Sequence, residues 1–151
     1  MNKKKKWLTF LLAAGILLWL SFIFGNSMQN MAASGERSRR IVYWIWPEAL
    51  TMPESVVPYN RIIRALAHFT EFFILGLLLF LVMRKKKWGI RKTILLCAGI
   101  ALADEILQSF TGRHCDLRDA GIDTLGASAG VILESLLWKL FGNREKGSNS
   151  K

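Results

Sequence analysis

Residues 64–83 read RALAHFTEFFILGLLLFLVM, and Arg84-Lys85-Lys86-Lys87 follows at once. No charge occurs from Phe72 to Met83, while Arg64, His68 and Glu71 fall at i, i+4 and i+7 and so share one face of a helix. A helix of this length reaches across about 30 Å, the hydrocarbon thickness of a bilayer. The stretch therefore predicts a spanning helix with a polar stripe in its first half and a basic stop.

Working outward, Trp7 to Phe24 is a run of 18 uncharged residues directly after Lys3-Lys4-Lys5-Lys6. A cleaved signal peptide is the rival reading, but its apolar region spans only about 7 to 15 residues, so the run is read as an anchor. Between the two spans, Pro47, Pro53 and Pro58 punctuate a long loop, and Arg39 to Trp46 carries aromatic residues suited to the headgroup layer. A third apolar segment, about 93–110, ends with Asp104, Glu105 and Gln108; a fourth, about 119–140, carries Asp123 early and Glu134 late. The expected fold is all-α, a four-helix transmembrane bundle with helices at about 7–24, 64–83, 93–110 and 119–140 and an interfacial segment in the first external loop. Residues 1–6 form a basic N-terminus, 7–141 one membrane domain and 142–151 a polar tail expected to be disordered.

Composition agrees with lipid as part of the solvent, since 52% of the 151 residues are hydrophobic. The net charge of +10 comes from lysines and arginines in blocks beside apolar segments, where they orient spans, so nucleic acid is set aside as a partner. Placing the N-terminus, residues 84–92 and the C-terminal tail together puts 14 of the 21 Lys+Arg on one side, which makes both termini cytoplasmic. Cys97 and Cys115, separated along one apolar segment and its exit, are not expected to bridge.

That topology sets Arg64, His68, Glu71, Asp104, Glu105, Gln108 and Asp123 at similar depth in the outer half. An acid at a helix centre costs about 2.5 to 3.5 kcal/mol on the insertion scale, so four of them facing lipid would cost on the order of 10 kcal/mol. They should meet inside the bundle or line a wet, outward-facing pocket, where Arg64, His68, Arg113 and Arg118 offset the carboxylates. Gly126 and Gly130, spaced G-x-x-x-G, give the fourth helix a small-residue face for close packing inside the bundle, with dimer formation as the competing use. Asp116 has the position of an N-cap for that helix. Trp7, Trp88 and Trp138 read as interface anchors, and Glu134 is expected to reach water or Lys139.

Three signatures carry a resemblance: Arg64-Ala65-Leu66-Ala67-His68-Phe69-Thr70-Glu71-Phe72; Asp104-Glu105 with Gln108, Gly112 and Arg113; and Asp119, Asp123 and Gly126. In order and spacing they resemble the VanZ-like family of small bacterial membrane proteins, whose namesake is associated with teicoplanin resistance. Asn26-Ser27-Met28-Gln29 is similar to a degraded form of that family's Ser-Ser-Gln, and Phe72 stands where a tyrosine is frequent. The resemblance implies a multi-pass protein of the bacterial cytoplasmic (plasma) membrane acting at the cell envelope, in contact with membrane lipid.

The function expected from this is reduced glycopeptide susceptibility, through a pocket of Arg64, His68, Glu71, Asp104, Glu105, Gln108, Arg113, Asp119 and Asp123 that binds an anionic cell-wall precursor, a lipid-linked molecule or the antibiotic. Two alternatives stay open. One is a non-catalytic scaffold or accessory subunit whose polar cluster only holds helices together; the other is an enzyme on a lipid-linked or cell-wall substrate, with His68, Glu71 or Asp104 as candidate acid or base. A divalent ion would find imidazole and oxygen ligands here, but His-x-x-Glu reverses the Glu-x-x-His of di-iron bundles, so no metal ligand and no cofactor is assigned.

Overall fold

The computed structural model describes residues 3–29, 31–51, 53–111 and 116–141. Arg113, the Gly112 beside it, Cys115 and the tail 142–151 lie outside them. Five α-helices make up the described chain: α1 Lys3–Ser27, α2 Met31–Ile45, α3 Pro53–Met83, α4 Ile90–Ser109 and α5 Leu117–Phe141. Among the described residues, three are long and apolar enough to cross a membrane, α1 from Trp7, α3 from Val56 and α5. The shorter α4 carries Arg91 and Lys92 at one end and Asp104 and Glu105 at the other, leaving only residues 93–103 free of charge between them.

Burial is distributed as lipid demands. Leu18 on α1 is 72% exposed and Leu125 on α5 is 65% exposed, whereas Asp104 and Asp123 are fully buried. A water-soluble monomer of this size rarely leaves so much contiguous apolar surface open. The chain is an all-α membrane protein.

The helix that carries the second span begins at Pro53 rather than near Arg64. Its prolines read as loop punctuation, yet Pro53 takes the first helical position, where a missing N–H costs nothing, and Pro58 forfeits a bond only to residue 54 in the first turn. At about 1.5 Å per residue the 31 residues of α3 extend about 46 Å, longer than the hydrocarbon layer. The added turns meet α2, whose Val42 packs with Ala49 and Val56 in a small apolar cluster of their own. The piece between residues 31 and 45, read from sequence as loop with a surface-seeking end, is thus an amphipathic helix with Ser38 and Val42 inward and Trp44 outward. Trp46, at φ −130° and ψ 83° and so outside the helical region before Pro47, ends it, and stacks on Tyr59 of α3 at 4.9 Å.

Helices α3 and α5 run parallel and in register. Arg64 faces Asp119, His68 faces Asp123, and Arg84 faces Glu134. Between these pairs the backbones touch: a Cβ on Gly126 would collide with the Phe69 carbonyl, on Gly130 with the Phe73 carbonyl, and on Gly76 with the Ala127 carbonyl. The small-residue face of α5 is therefore occupied by α3 of the same chain. Around this seam, Ile16, Ile23, Phe72, Leu75, Leu79, Cys97, Ala101 and Ala127 form the main core. Cys97 is a buried free thiol there.

At the far end of the seam, Arg84 Nη1 lies 3.3 Å from Glu134 and its guanidinium sits 4.0 Å over the Trp138 ring. This corrects one expectation, Glu134 reaching water or Lys139, and gives Trp138, still half exposed, a cation partner. Both side chains are claimed by the arginine that begins the basic stop. Arg84→Ala is expected to destabilise the fold by about 1 to 3 kcal/mol, and Arg84→Lys by less, since the ammonium keeps the charge and loses the planar stacking. Thermal unfolding in detergent checks this; equal midpoints for wild type and Arg84→Ala would refute it.

Candidate functional site: a buried polar cluster beneath a small cavity

The cluster is assembled from four helices at one level. From α3, the i, i+4, i+7 stripe delivers Arg64, His68 and Glu71. The seam brings Asp119 and Asp123 of α5 opposite: Arg64 Nη2 is 3.8 Å from Asp119 Oδ2, and His68 Nδ1 is 3.3 Å from Asp123 Oδ1. The last turns of α4 supply Asp104 and Gln108, and the end of α1 supplies Asn26 and Ser27. Ser27 Oγ donates to Asp104 Oδ2 at 2.7 Å, and Gln108 Nε2 donates to the same oxygen at 2.8 Å. Asn26 Nδ2 donates to Glu71 Oε1 at 2.9 Å and in turn accepts from Arg37 of α2 at 3.2 Å. The indole of Trp19 donates to the Glu71 main-chain carbonyl at 2.9 Å, fixing α1 against α3 at this depth.

Adjacent on a helix, Asp104 and Glu105 point about 100° apart and serve different neighbours. While Asp104 turns inward to Ser27, Glu105 Oε2 accepts the main-chain N–H of Asp116 at 2.9 Å. Asp116 then caps α5, its Oδ1 accepting the Arg118 N–H at 2.9 Å. Glu105 thus holds the start of the helix that carries Asp119 and Asp123.

Above the cluster lies a cavity of about 240 Å³ between α1, α2 and α3, lined on its polar side by Asn26, Ser27, Arg37, Ser38, Arg64, His68 and Glu71 and on its apolar side by Phe22, Ile41 and Ile63. Two guanidinium groups border it. Arg64 Nε is buried with no hydrogen-bond partner among the described residues, so that arginine retains donor capacity beyond its long contact with Asp119. His68 Nδ1, Asp104 Oδ1 and both oxygens of Asp123 are likewise unpartnered. The 3.3 Å approach of His68 to Asp123 lacks the alignment of a hydrogen bond.

Of the nine pocket residues expected from sequence, Arg64, His68 and Glu71 line the cavity, Asp104, Gln108, Asp119 and Asp123 lie beside these three, and Glu105 accepts from the start of α5 while interacting electrostatically with Asp119, Asp123 and His68. Arg113 falls outside the described residues. Sequence reasoning left Asn26, Ser27, Trp19 and Arg37 out of the site. The Asn26-Ser27 pair carried a signal in its likeness to Ser-Ser-Gln, but Arg37 carried none, because only the helical form of α2 brings this exposed side chain to the border of the cavity.

A family model described as VanZ/LLP1 matches residues 10–139, which takes in α2 and the whole polar cluster. The chain belongs to the VanZ/LLP1 family. No curated protein and no solved structure matches it. The VanZ/LLP1 match covers all of the helices that build the site, from Asn26 and Ser27 on α1 to Asp123 on α5, so the cluster belongs to the family's own domain.

Proposed function

We propose that this VanZ/LLP1 member is an envelope protein of the bacterial cytoplasmic membrane, with four crossings, both termini cytoplasmic and the cavity facing outward. Its pocket binds the anionic group of a cell-wall precursor, a lipid-linked molecule or the glycopeptide itself, and so lowers susceptibility to teicoplanin. The observation that carries this is Arg64, whose buried Nε is unpartnered and whose contact with Asp119 is long, beside a cavity that Arg37 also borders. Guanidinium forks of this kind suit phosphate and carboxylate. The asymmetry of basic residues, 14 of 21 on the side of the termini, supports the orientation. The antiparallel return of α4, which in sequence separates the parallel helices α3 and α5, supports a fourth crossing.

In a glycopeptide-susceptible host deleted for the gene, expression of the wild-type chain is expected to raise the inhibitory concentration of teicoplanin. Arg64→Gln and Glu71→Gln, at unchanged protein level, should return it to the deleted state. Identical susceptibility in deletion, wild type and both variants overturns the reading. The mutual satisfaction of Asn26 with Glu71, and of Ser27 and Gln108 with Asp104, favours a second reading in which the cluster is a structural clamp. That reading predicts disappearance of the protein itself in Glu71→Gln.

A further inference from the structure

We infer that His68, Asp104 and Asp123 form a binding site for one divalent cation, with the borderline ion zinc as the best match and the harder ion manganese as the second. One candidate ligand atom from each of the three lies within 4.8 Å of the other two. Ligand atoms about 2.1 Å from an ion in a tetrahedral shell stand about 3.4 Å apart; His68 Nδ1 and Asp123 Oδ1 are already 3.3 Å apart, so completing the shell requires an inward movement of the third ligand, Asp104.

A cluster of acids alone would not single out a cation. The second observation is the state of the buried atoms. Asp123 is fully buried and neither of its oxygens has a hydrogen-bond partner among the described residues. The nitrogen 3.3 Å away, His68 Nδ1, makes an ion-pair contact with Asp123 Oδ1 that does not meet hydrogen-bond geometry. That disposition suits two lone pairs directed at a third atom.

Asp104 shows the complementary half of the pattern. Its Oδ2 is held by two donors, Ser27 and Gln108, on α1 and on its own helix, while Oδ1 is unpartnered. Carboxylates that bind metals are oriented in this way by donors outside the coordination shell. Two carboxylates match the charge of a divalent ion, and the imidazole selects borderline ions over magnesium or calcium, which prefer all-oxygen shells.

His68 and Ser27 also line the cavity, so the remaining coordination positions open toward it. In this respect the site deepens the anion-pocket reading, giving the anionic group a cation beneath it as well as the arginines beside it. Metal uptake, however, is measurable without the anion.

The test uses the full-length protein purified in detergent, stripped with chelator and dialysed against trace zinc or manganese. Elemental analysis is expected to give one ion per chain for wild type and for Glu134→Gln, which alters a distant acid beside Arg84. His68→Gln and Asp123→Asn are expected to weaken binding at least about 100-fold, since even outer-shell losses cost 10 to 100-fold. Should these variants not fold, the wild-type thermal midpoint decides: a rise with either metal, reversed by chelator, supports the site. A midpoint indifferent to both, folded Asp123→Asn with undiminished uptake, or equal loss in Glu134→Gln overturns it. If the metal is absent while Arg64→Gln still abolishes teicoplanin protection, the cation inference falls and the anion pocket stands. If the metal binds while susceptibility is unaffected, the cation site stands and the anion pocket falls.

Discussion

Gly130→Leu is expected to prevent the protein from accumulating as a folded species in the membrane, and Gly130→Ala to destabilise it by about 1 to 3 kcal/mol. The reason is local and steric. An added Cβ at Gly130 would run into the Phe73 carbonyl and come within 3.0 Å of the Leu77 nitrogen. These are main-chain atoms of a helix, which cannot swing aside as a flexible side chain can. Relief requires α3 and α5 to separate, which loosens Arg64 from Asp119 and His68 from Asp123 at the same time. Gly126→Ala and Gly76→Ala share the mechanism and should act in the same direction, less than additively in combination, because one separation relieves all three. Gly99→Ala and Gly121→Ala serve as controls. Nothing lies within 4 Å of either added Cβ, and alanine should leave stability unchanged or raise it by up to about 1 kcal/mol through helix propensity. Unfolding midpoints in detergent distinguish the sets; a Gly130→Ala midpoint equal to wild type would refute backbone contact at the seam.

Asp104→Ala carries the second large effect. The substitution strips a shared, charged acceptor from Ser27 Oγ and Gln108 Nε2, both buried, and losing a hydrogen bond to a charged group costs about 1.5 to 3 kcal/mol. The Ser27 bond ties α1 to α4, while the Gln108 bond, one turn along α4 itself, holds the carboxylate in place for it. Ser27→Ala removes one donor and leaves the acceptor still served by Gln108, so a loss of about 0.5 to 1.5 kcal/mol is expected. Asp104→Asn retains one oxygen and should fall between wild type and Asp104→Ala. Leu102→Ala on the exposed face of α4 provides the comparison for simple truncation of that helix. An Asp104→Ala protein as stable as Leu102→Ala would show that the network contributes nothing to the bundle.

Much of this arrangement was readable from spacing. The stripe at 64, 68 and 71 and the stripe at 119 and 123 follow from helical periodicity, and the divergence of Asp104 from Glu105 follows from adjacency. What spacing does not reveal is which stripe meets which. Pairing of α3 with α5, rather than with its sequence neighbour α4, is decided by the glycines that let those two backbones touch. Arg37 shows the same limit: as loop it has no fixed direction, and it borders the cavity only once residues 31–45 close into a helix. The early start of α3 was hidden because Pro53 and Pro58 signal loop or first helical turn with equal force. Glu134 and Trp138 were assigned to water and interface because their partner, Arg84, belongs to a basic block whose composition already accounted for it.

The α3–α5 seam makes the chain length inside it as constrained as any side chain. Its contact points and its ionic pairs are read off the same two helices as if along a pair of locked rulers, with about 100° of rotation and about 1.5 Å of rise per residue. One residue inserted between Asp123 and Gly130, or Phe69, Thr70 or Phe72 deleted between His68 and Phe73, keeps every functional group in the sequence while swinging Asp119 and Asp123 off the line of Arg64 and His68. Single-residue indels in these two intervals should therefore be tolerated far less than substitutions on the outward faces of the same turns.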